Sequence, residues 1–295
     1  MYYDLNIPYT SASEIPRTLS FLNTLGYTTV ALSTTLTGKL PSQLPTPPTL
    51  PADDKLTLLT RCTLVLSDPS QNHRLASLST LYSLLALRPT SEKLLLQACS
   101  SLECDLISLD FSQRLPFQLK HKTVGAALLR GLSFEICYGA SITDVRARQN
   151  LLQNAASLIR ATRGGRGIIV SSEARQALAL RAPNDVINLA VLWGLGQEAA
   201  RDAVAGRCRV LMRQAEMRRR AFKGVVEVID DGVGEEEKAE REKKRKASEQ
   251  GGGTGKKGKQ GGNAQVGGGE AGQKLSKKER RAQAQTAKTA VATGS

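Results

Sequence analysis

Two oxygen-bearing side chains stand two residues apart in the opening segment Tyr2-Tyr3-Asp4-Leu5-Asn6-Ile7-Pro8. In an extended strand residues i and i+2 share a face, so Asp4 and Asn6 could bind a metal, touch a ligand or cap a turn. Other carboxyl groups near strand-like runs are Asp105, Asp110 and Glu135. A transition-metal hydrolytic centre also wants imidazoles, and the chain holds two histidines. His73 falls in a turn (SDPSQNH) and His121 in a basic stretch before a helix (LKHK), both expected to face solvent. An all-oxygen magnesium site needs no dedicated protein cage and leaves no sequence signature. Ser171-Ser172 follows a strand without a G-x-S-x-G elbow, so a serine pair capping the next helix before Glu173 is expected. Cys137, in the middle of SFEICY, reads as a buried structural thiol. No catalytic residue, metal or cofactor is assigned.

The basic residues point to binding. Arg114, Lys120 and Lys122 bracket the loop after CDLISLD, and Arg163 and Arg166 flank Gly164-Gly165. Arg209, Arg213 and Arg220 form one stripe of the last helix, opposite Cys208, Leu211 and Ala215. Residues 1–141 carry 11 Lys and Arg against 10 Asp and Glu; residues 142–222 carry 14 against 6, every one of the 14 an Arg. Residues 223–295 add 16 against 11. Guanidinium groups grip phosphate in a fork and release condensed counterions, so such a half-domain suits a polyanion. A solvated surface explains any one of these residues as well. Their combination, on loops at one end of the fold, points to RNA.

The elements that would position these groups alternate. The opening strand is followed by Ser11-Ala12-Ser13-Glu14, spaced as a capping box, and by Ile15, Leu19, Leu22 and Leu25 at helical intervals. Gly26 stops that helix before the strand Thr28–Leu32, and a loop dense in proline runs from Pro41 to Pro51. Leu56–Leu59, Cys62–Leu66 and Thr80–Leu87 read as strand material. A helix near Ser91–Ser100, the strand Cys104–Asp110, a helix near Thr123–Leu132 and the strand Ser133–Tyr138 follow. The long helix near Thr143–Thr162 has Val145, Leu152, Ala156 and Ile159 on one face, and Arg146, Asn150, Gln153 and Arg160 on the other. Gly167–Val170 is the last strand, Asn184 is expected to cap a helix over Asp185–Leu195, and two more helices reach Arg220.

This order predicts about seven parallel strands joined by crossovers, as in a doubly wound sheet or a β/α barrel. With no Gly-rich phosphate loop at the first helix, a TIM-like (β/α) barrel is favoured. Ligand-facing residues of barrels sit at the C-terminal strand ends, which here places Asp4, Asn6, Asp110, Tyr138, Ser171 and Ser172 at the mouth. The domain is expected over residues 1–229. Residues 230–295, rich in Gly and Lys, are expected to be a disordered tail, too poor in apolar residues to offset the entropy of ordering. Five cysteines without a CxxC pair suggest reduced, buried thiols and an intracellular setting. The absence of a signal-peptide pattern and of any apolar run near the ~20 residues of a transmembrane helix predicts a soluble, non-secreted protein with no membrane contact.

The passage CDLISLDFSQRLPFQLKHKTVGAALLRGLSFEICYGASI (Cys104–Ile142), with IIVSSEA and LRAPNDVINLAVLWGLGQEAARDAV, resembles the thirty-kilodalton protein subunit of ribonuclease P and ribonuclease MRP. The opening DLNIP and LGYTTVAL resemble that family's start, and the likeness spans about residues 1–228. The resemblance implies a barrel related to the polymerase and histidinol phosphatase phosphoesterases. Their first strand carries His-x-His for metal where this chain has Asp4-x-Asn6. It further implies a non-catalytic subunit that binds the RNase P RNA and MRP RNA and pairs with a small ferredoxin-like protein subunit. Its work would be precursor tRNA 5′-leader removal and rRNA processing in the nucleus and nucleolus. Arg181 joins the RNA-binding candidates on this basis, and Arg241, Lys243, Lys244, Arg245 and Lys246 form a candidate nuclear signal. The alternative is a degenerate metal-dependent phosphoesterase using Asp4, Asn6, Asp110 and Glu135.

Overall fold

A computed structural model of the chain describes residues 1–9, 14–38, 40, 43–51, 55–68 and 74–220. The expected capping-box serines, His73, the tail and its nuclear signal lie outside these residues, as does the side chain of Arg220. Among the described residues seven strands form one sheet, all parallel and paired in chain order. They are β1 (Tyr3–Pro8), β2 (Thr29–Leu36), β3 (Thr57–Leu66), β4 (Leu84–Pro89), β5 (Leu106–Ser108), β6 (Ser133–Cys137) and β7 (Ile168–Ser171). The helices are α1 (Ile15–Leu25), α2 (Leu75–Leu81), α3 (Glu92–Ser100), α4 (His121–Leu129) and α5 (Gly139–Thr143). They continue as α6 (Val145–Ala161), α7 (Pro183–Leu192), α8 (Gln197–Val204) and α9 (Gly206–Arg220). Strand β7 returns to β1, where Glu173 N–H donates to Asn6 O (2.9 Å), so the barrel is nearly closed.

Local chemistry explains the helix ends. Pro16 opens α1, Ile15, Leu19 and Leu22 are its buried stripe, and Gly26 at φ 91° ends it with its N–H on the Leu22 and Asn23 carbonyls. Asp144 caps α6, accepting from the N–H groups of Arg146 (3.0 Å) and Ala147 (3.3 Å). Arg130 closes the C-terminal end of α3, donating to the carbonyls of Ala98, Cys99 and Leu102.

Period-two alternation builds three apolar clusters among the described residues, one of them formed by Ile7, Val30 and Leu32 beneath Ile15, Leu19 and Leu22 of α1. Cys62, Leu64, Leu85, Leu87, Ile107, Phe134, Ile136 and Val170 pack outward beneath the helices. Tyr3, Leu5, Ala31, Leu84, Ala86, Leu106 and Ile169 pack with Cys208, Leu211 and Ala215 of α9, which covers them with the apolar face the sequence assigned to it. Buried Asp105 pins this helix through Arg218 (3.2 Å) and Arg219 (2.9 Å). Arg219 also donates to the carbonyls of Ser79 and Tyr82.

Four expectations change. Leu56–Leu59 and Cys62–Leu66 are parts of one ten-residue strand, β3. Residues 75–81 are helix, so strand begins at Leu84 and not at Thr80. The inward face of α6 is Ala147, Leu151, Asn154, Ala155, Leu158 and the expected Ile159, while Val145 and Leu152 are exposed. Apolar counting misses this rotation because Asn154 is buried polar, satisfied by the Phe111 (3.4 Å) and Gln113 (2.8 Å) carbonyls. Helix α7 begins at Pro183 with no side-chain cap, leaving Asn184 inside its first turn.

Candidate functional site

The centre of the barrel is charged. Arg61, the one charged residue of β3, points inward with Thr63 and forms a two-pronged pair with Glu135 of β6. Its two guanidinium nitrogens reach the two carboxylate oxygens at 2.5 and 2.6 Å, and both side chains are wholly buried. Arg61 also donates to Thr63 Oγ1 (3.0 Å) and Leu5 O (2.8 Å), while Asn6 Nδ2 approaches Glu135 Oε2 and Cys137 Sγ, both at 3.4 Å. Burial alone would raise the Glu135 carboxyl; the Arg61 charge and hydrogen bonds outweigh it and hold the group down to about 2. The five cysteines are buried and unpaired, and burial pushes the Cys137 thiol well up.

Asp4 and Asn6 do not share a face. Between the pairs Asp4–Val30 and Ile7–Leu32, two residues of β1 oppose Ala31 alone, a bulge that lets both Leu5 and Asn6 turn inward. Asp4 faces the seam with β7, where its Oδ1 accepts from Ser172 N–H (3.1 Å) and Asn6 N–H (3.2 Å). Burial raises its carboxyl to about 6 against these hydrogen bonds, and its Oδ2 has no partner. Ser171 and Ser172 belong to the same seam and cap no helix: Ser172 Oγ accepts from Ala174 N–H (3.3 Å), and α7 starts only at Pro183.

Above the charged centre lies a cavity of about 420 Å³ at the C-terminal ends of β4 to β7. Arg88, Asp110, Cys137, Glu173 and Arg175 are among its walls. Arg88 pairs with Glu173 (2.9 Å) and donates to the Ser108 carbonyl and hydroxyl. Asp110 accepts from Ser112 N–H (3.0 Å) and Ser112 Oγ–H (2.5 Å). Tyr138 is not a mouth residue: it packs in the outer core, its hydroxyl accepting from Arg181 N–H (3.2 Å). The sequence reading missed Arg61 and Arg88, although each is the lone charge in an apolar strand.

The arginine-rich composition divides into two populations. Arg61, Arg88, Arg130, Arg148, Arg218 and Arg219 are held by carboxylates or carbonyls of the fold. Arg181 is half-buried, its guanidinium on the Leu178 (2.8 Å) and Leu180 (2.7 Å) carbonyls. Lys120 pairs with Glu92 (2.6 Å) at the surface. Arg114, Lys122, Arg163, Arg166, Arg209 and Arg213 are exposed. Two of these groups lie near one another although they come from different connections: Arg114 and His121, beside Lys122, line one cavity with Arg160 and Ala161, and His121 Nδ1 lies 3.1 Å from the carbonyl of Ala161, two residues before Arg163.

The metal that the phosphoesterase resemblance implies does not fit this set. A guanidinium fills the space between the inward carboxylate and its neighbours, Asp4 Oδ1 is spent on backbone donors, and no His, Cys, Asp and Glu grouping of three or more converges among the described residues.

A nearly closed parallel β/α barrel with an internal ion pair and exposed arginines places the chain in the class of TIM-like β/α barrels. The family model described as RNase P subunit p30 matches residues 1–220, and the chain belongs to that family. It is 41% identical over 232 residues to the probable ribonuclease P protein subunit 3 of Schizosaccharomyces pombe, covering 77% of this chain and 98% of that one. It is 30% identical over 250 residues to the ribonuclease P/MRP protein subunit RPP1 of Saccharomyces cerevisiae, covering 77% and 84%. A chain in a cryo-EM structure of archaeal ribonuclease P with mature tRNA superposes with a TM-score of 0.57 at 11% identity, covering 77% of this chain and 98% of that one, a likeness of fold.

Proposed function

We propose that the chain is a non-catalytic protein subunit of a ribonuclease P, and of ribonuclease MRP, that binds the RNA and other protein subunits of the particle. The observation that carries this is the family match over residues 1–220, which takes in the whole barrel and α9. The Arg61–Glu135 pair supports the non-catalytic part, because it fills the interior with a neutralised, fully buried charge. Exposed Arg163, Arg166, Arg209 and Arg213 supply the guanidiniums for phosphate contacts, joined by Arg114 and Lys122, which come near the end of α6. A small ferredoxin-like RNase P protein and precursor tRNA are the further partners, with work in the nucleus and nucleolus. Particle captured through a tag on this chain should trim precursor tRNA 5′ leaders and stop when its RNA is degraded. The purified chain alone, given manganese or zinc, should leave a generic phosphodiester intact; turnover abolished by Asp4→Ala would instead establish the phosphoesterase reading.

A further inference from the structure

The cavity at the barrel mouth has no part in the scaffold role so far described. Its roughly 420 Å³ lies within the ~300–1,000 Å³ typical of small-ligand pockets. Two guanidiniums reach it. That of Arg88 is oriented by the Ser108 carbonyl (3.3 Å) and hydroxyl (3.2 Å), so it is fixed before any ligand arrives. That of Arg175 is exposed at the rim, with no carboxylate partner among the described residues. Facing Arg88 is Glu173, at 2.9 Å, and its backbone is left-handed at φ 50°, a conformation that a non-glycine residue holds only when its surroundings impose it. The other wall carboxylate, Asp110, is already committed to Ser112.

We propose that this cavity binds a phosphate group of an RNA strand, with Arg88 and Arg175 as its cations. Glu173 is the internal anion that occupies Arg88 until the phosphate replaces it. Arg88 meets Glu173 through Nη2 and Oε2 alone, so a phosphate oxygen can take that single acceptor place while Ser108 keeps the guanidinium in position. The Glu173 side chain is 29% exposed, which gives it an exit into solvent, whereas Arg88 at 15% stays in place. The resting cavity is balanced, two cations against two carboxylates, so affinity for phosphate is set by how readily Glu173 leaves.

The inference rests on the RNA-binding reading, and its test separates the two. The full chain is titrated with inorganic phosphate, followed by phosphorus NMR, and with a single-stranded RNA decamer bearing or lacking a 5′-phosphate, followed by anisotropy. Glu173→Gln should tighten phosphate and RNA binding about tenfold, and Arg175→Ala, at an exposed position, should abolish that gain. A gain confined to the phosphorylated decamer identifies a terminal phosphate, and a gain with both identifies internal diesters. Unchanged or weaker phosphate binding by Glu173→Gln, with circular dichroism unchanged, would overturn the site. A phosphate response without a response to either RNA would overturn RNA as the occupant, leaving recovery of RNase P RNA with the chain as a separate question.

Discussion

Arg61 and Glu135 decide what the barrel interior is for. A buried pair gives little net stability over an apolar replacement, but half of one is costly, because the remaining charge has neither water nor partner. Arg61→Ala should therefore destabilise the protein by about 3–5 kcal/mol, and Arg61→Met with Glu135→Leu should recover much of that, both read from denaturant midpoints. A second residue-scale test concerns Asp4. Its carboxyl rises from 3.8 to about 6 on folding, so between these values the folded chain holds more protons than the unfolded one. Stability should fall by roughly 3 kcal/mol as pH rises from about 4 to about 6, then level off, and Asp4→Asn should flatten that slope. Glu135 acts oppositely and lower: its contribution is present above 4.5 and lost as pH falls toward about 2. The sequence located Asp4, Asn6 and Glu135 in or beside strands, but it hid the bulge, since one extra residue in β1 leaves no mark on composition.

At the scale of elements, α9 is the part that a linear reading undervalues. Its Arg209, Arg213 and Arg220 look like a binding stripe, but the neighbouring Arg218 and Arg219 reach back to Asp105 across more than a hundred residues of chain, at separations of 113 and 114. Asp105→Asn should loosen the helix: amide exchange over 206–220 should speed up while β2 and β3 keep their protection. Equal acceleration everywhere would mean that α9 is not a separable cover. The Cys208, Leu211 and Ala215 face was readable because its spacing is helical. The pairing of Arg218 and Arg219 was not, because an ion pair between distant elements depends on tertiary packing alone.

For the whole molecule, net charge is a poor guide to where a polyanion would sit. Counting gives an arginine-rich second half, but the fold consumes Arg148, Arg218 and Arg219 and partly occupies Arg181. The order of strands and helices did announce a barrel, because each crossover shows as a change of apolar period; which arginines remain free depends on packing. Removing Arg163 and Arg166 together should weaken RNA binding and lower the salt slope by about one for each phosphate they neutralise. Arg181→Ala should instead act mainly on stability, seen as a lower denaturant midpoint with the salt slope retained. The most direct test is sequencing the RNA that copurifies with the tagged full chain from its own cells. The RNA-binding role predicts strong enrichment of RNase P RNA and MRP RNA, reduced by the Arg163 and Arg166 substitutions. Recovery of neither RNA by the intact, folded chain would contradict it.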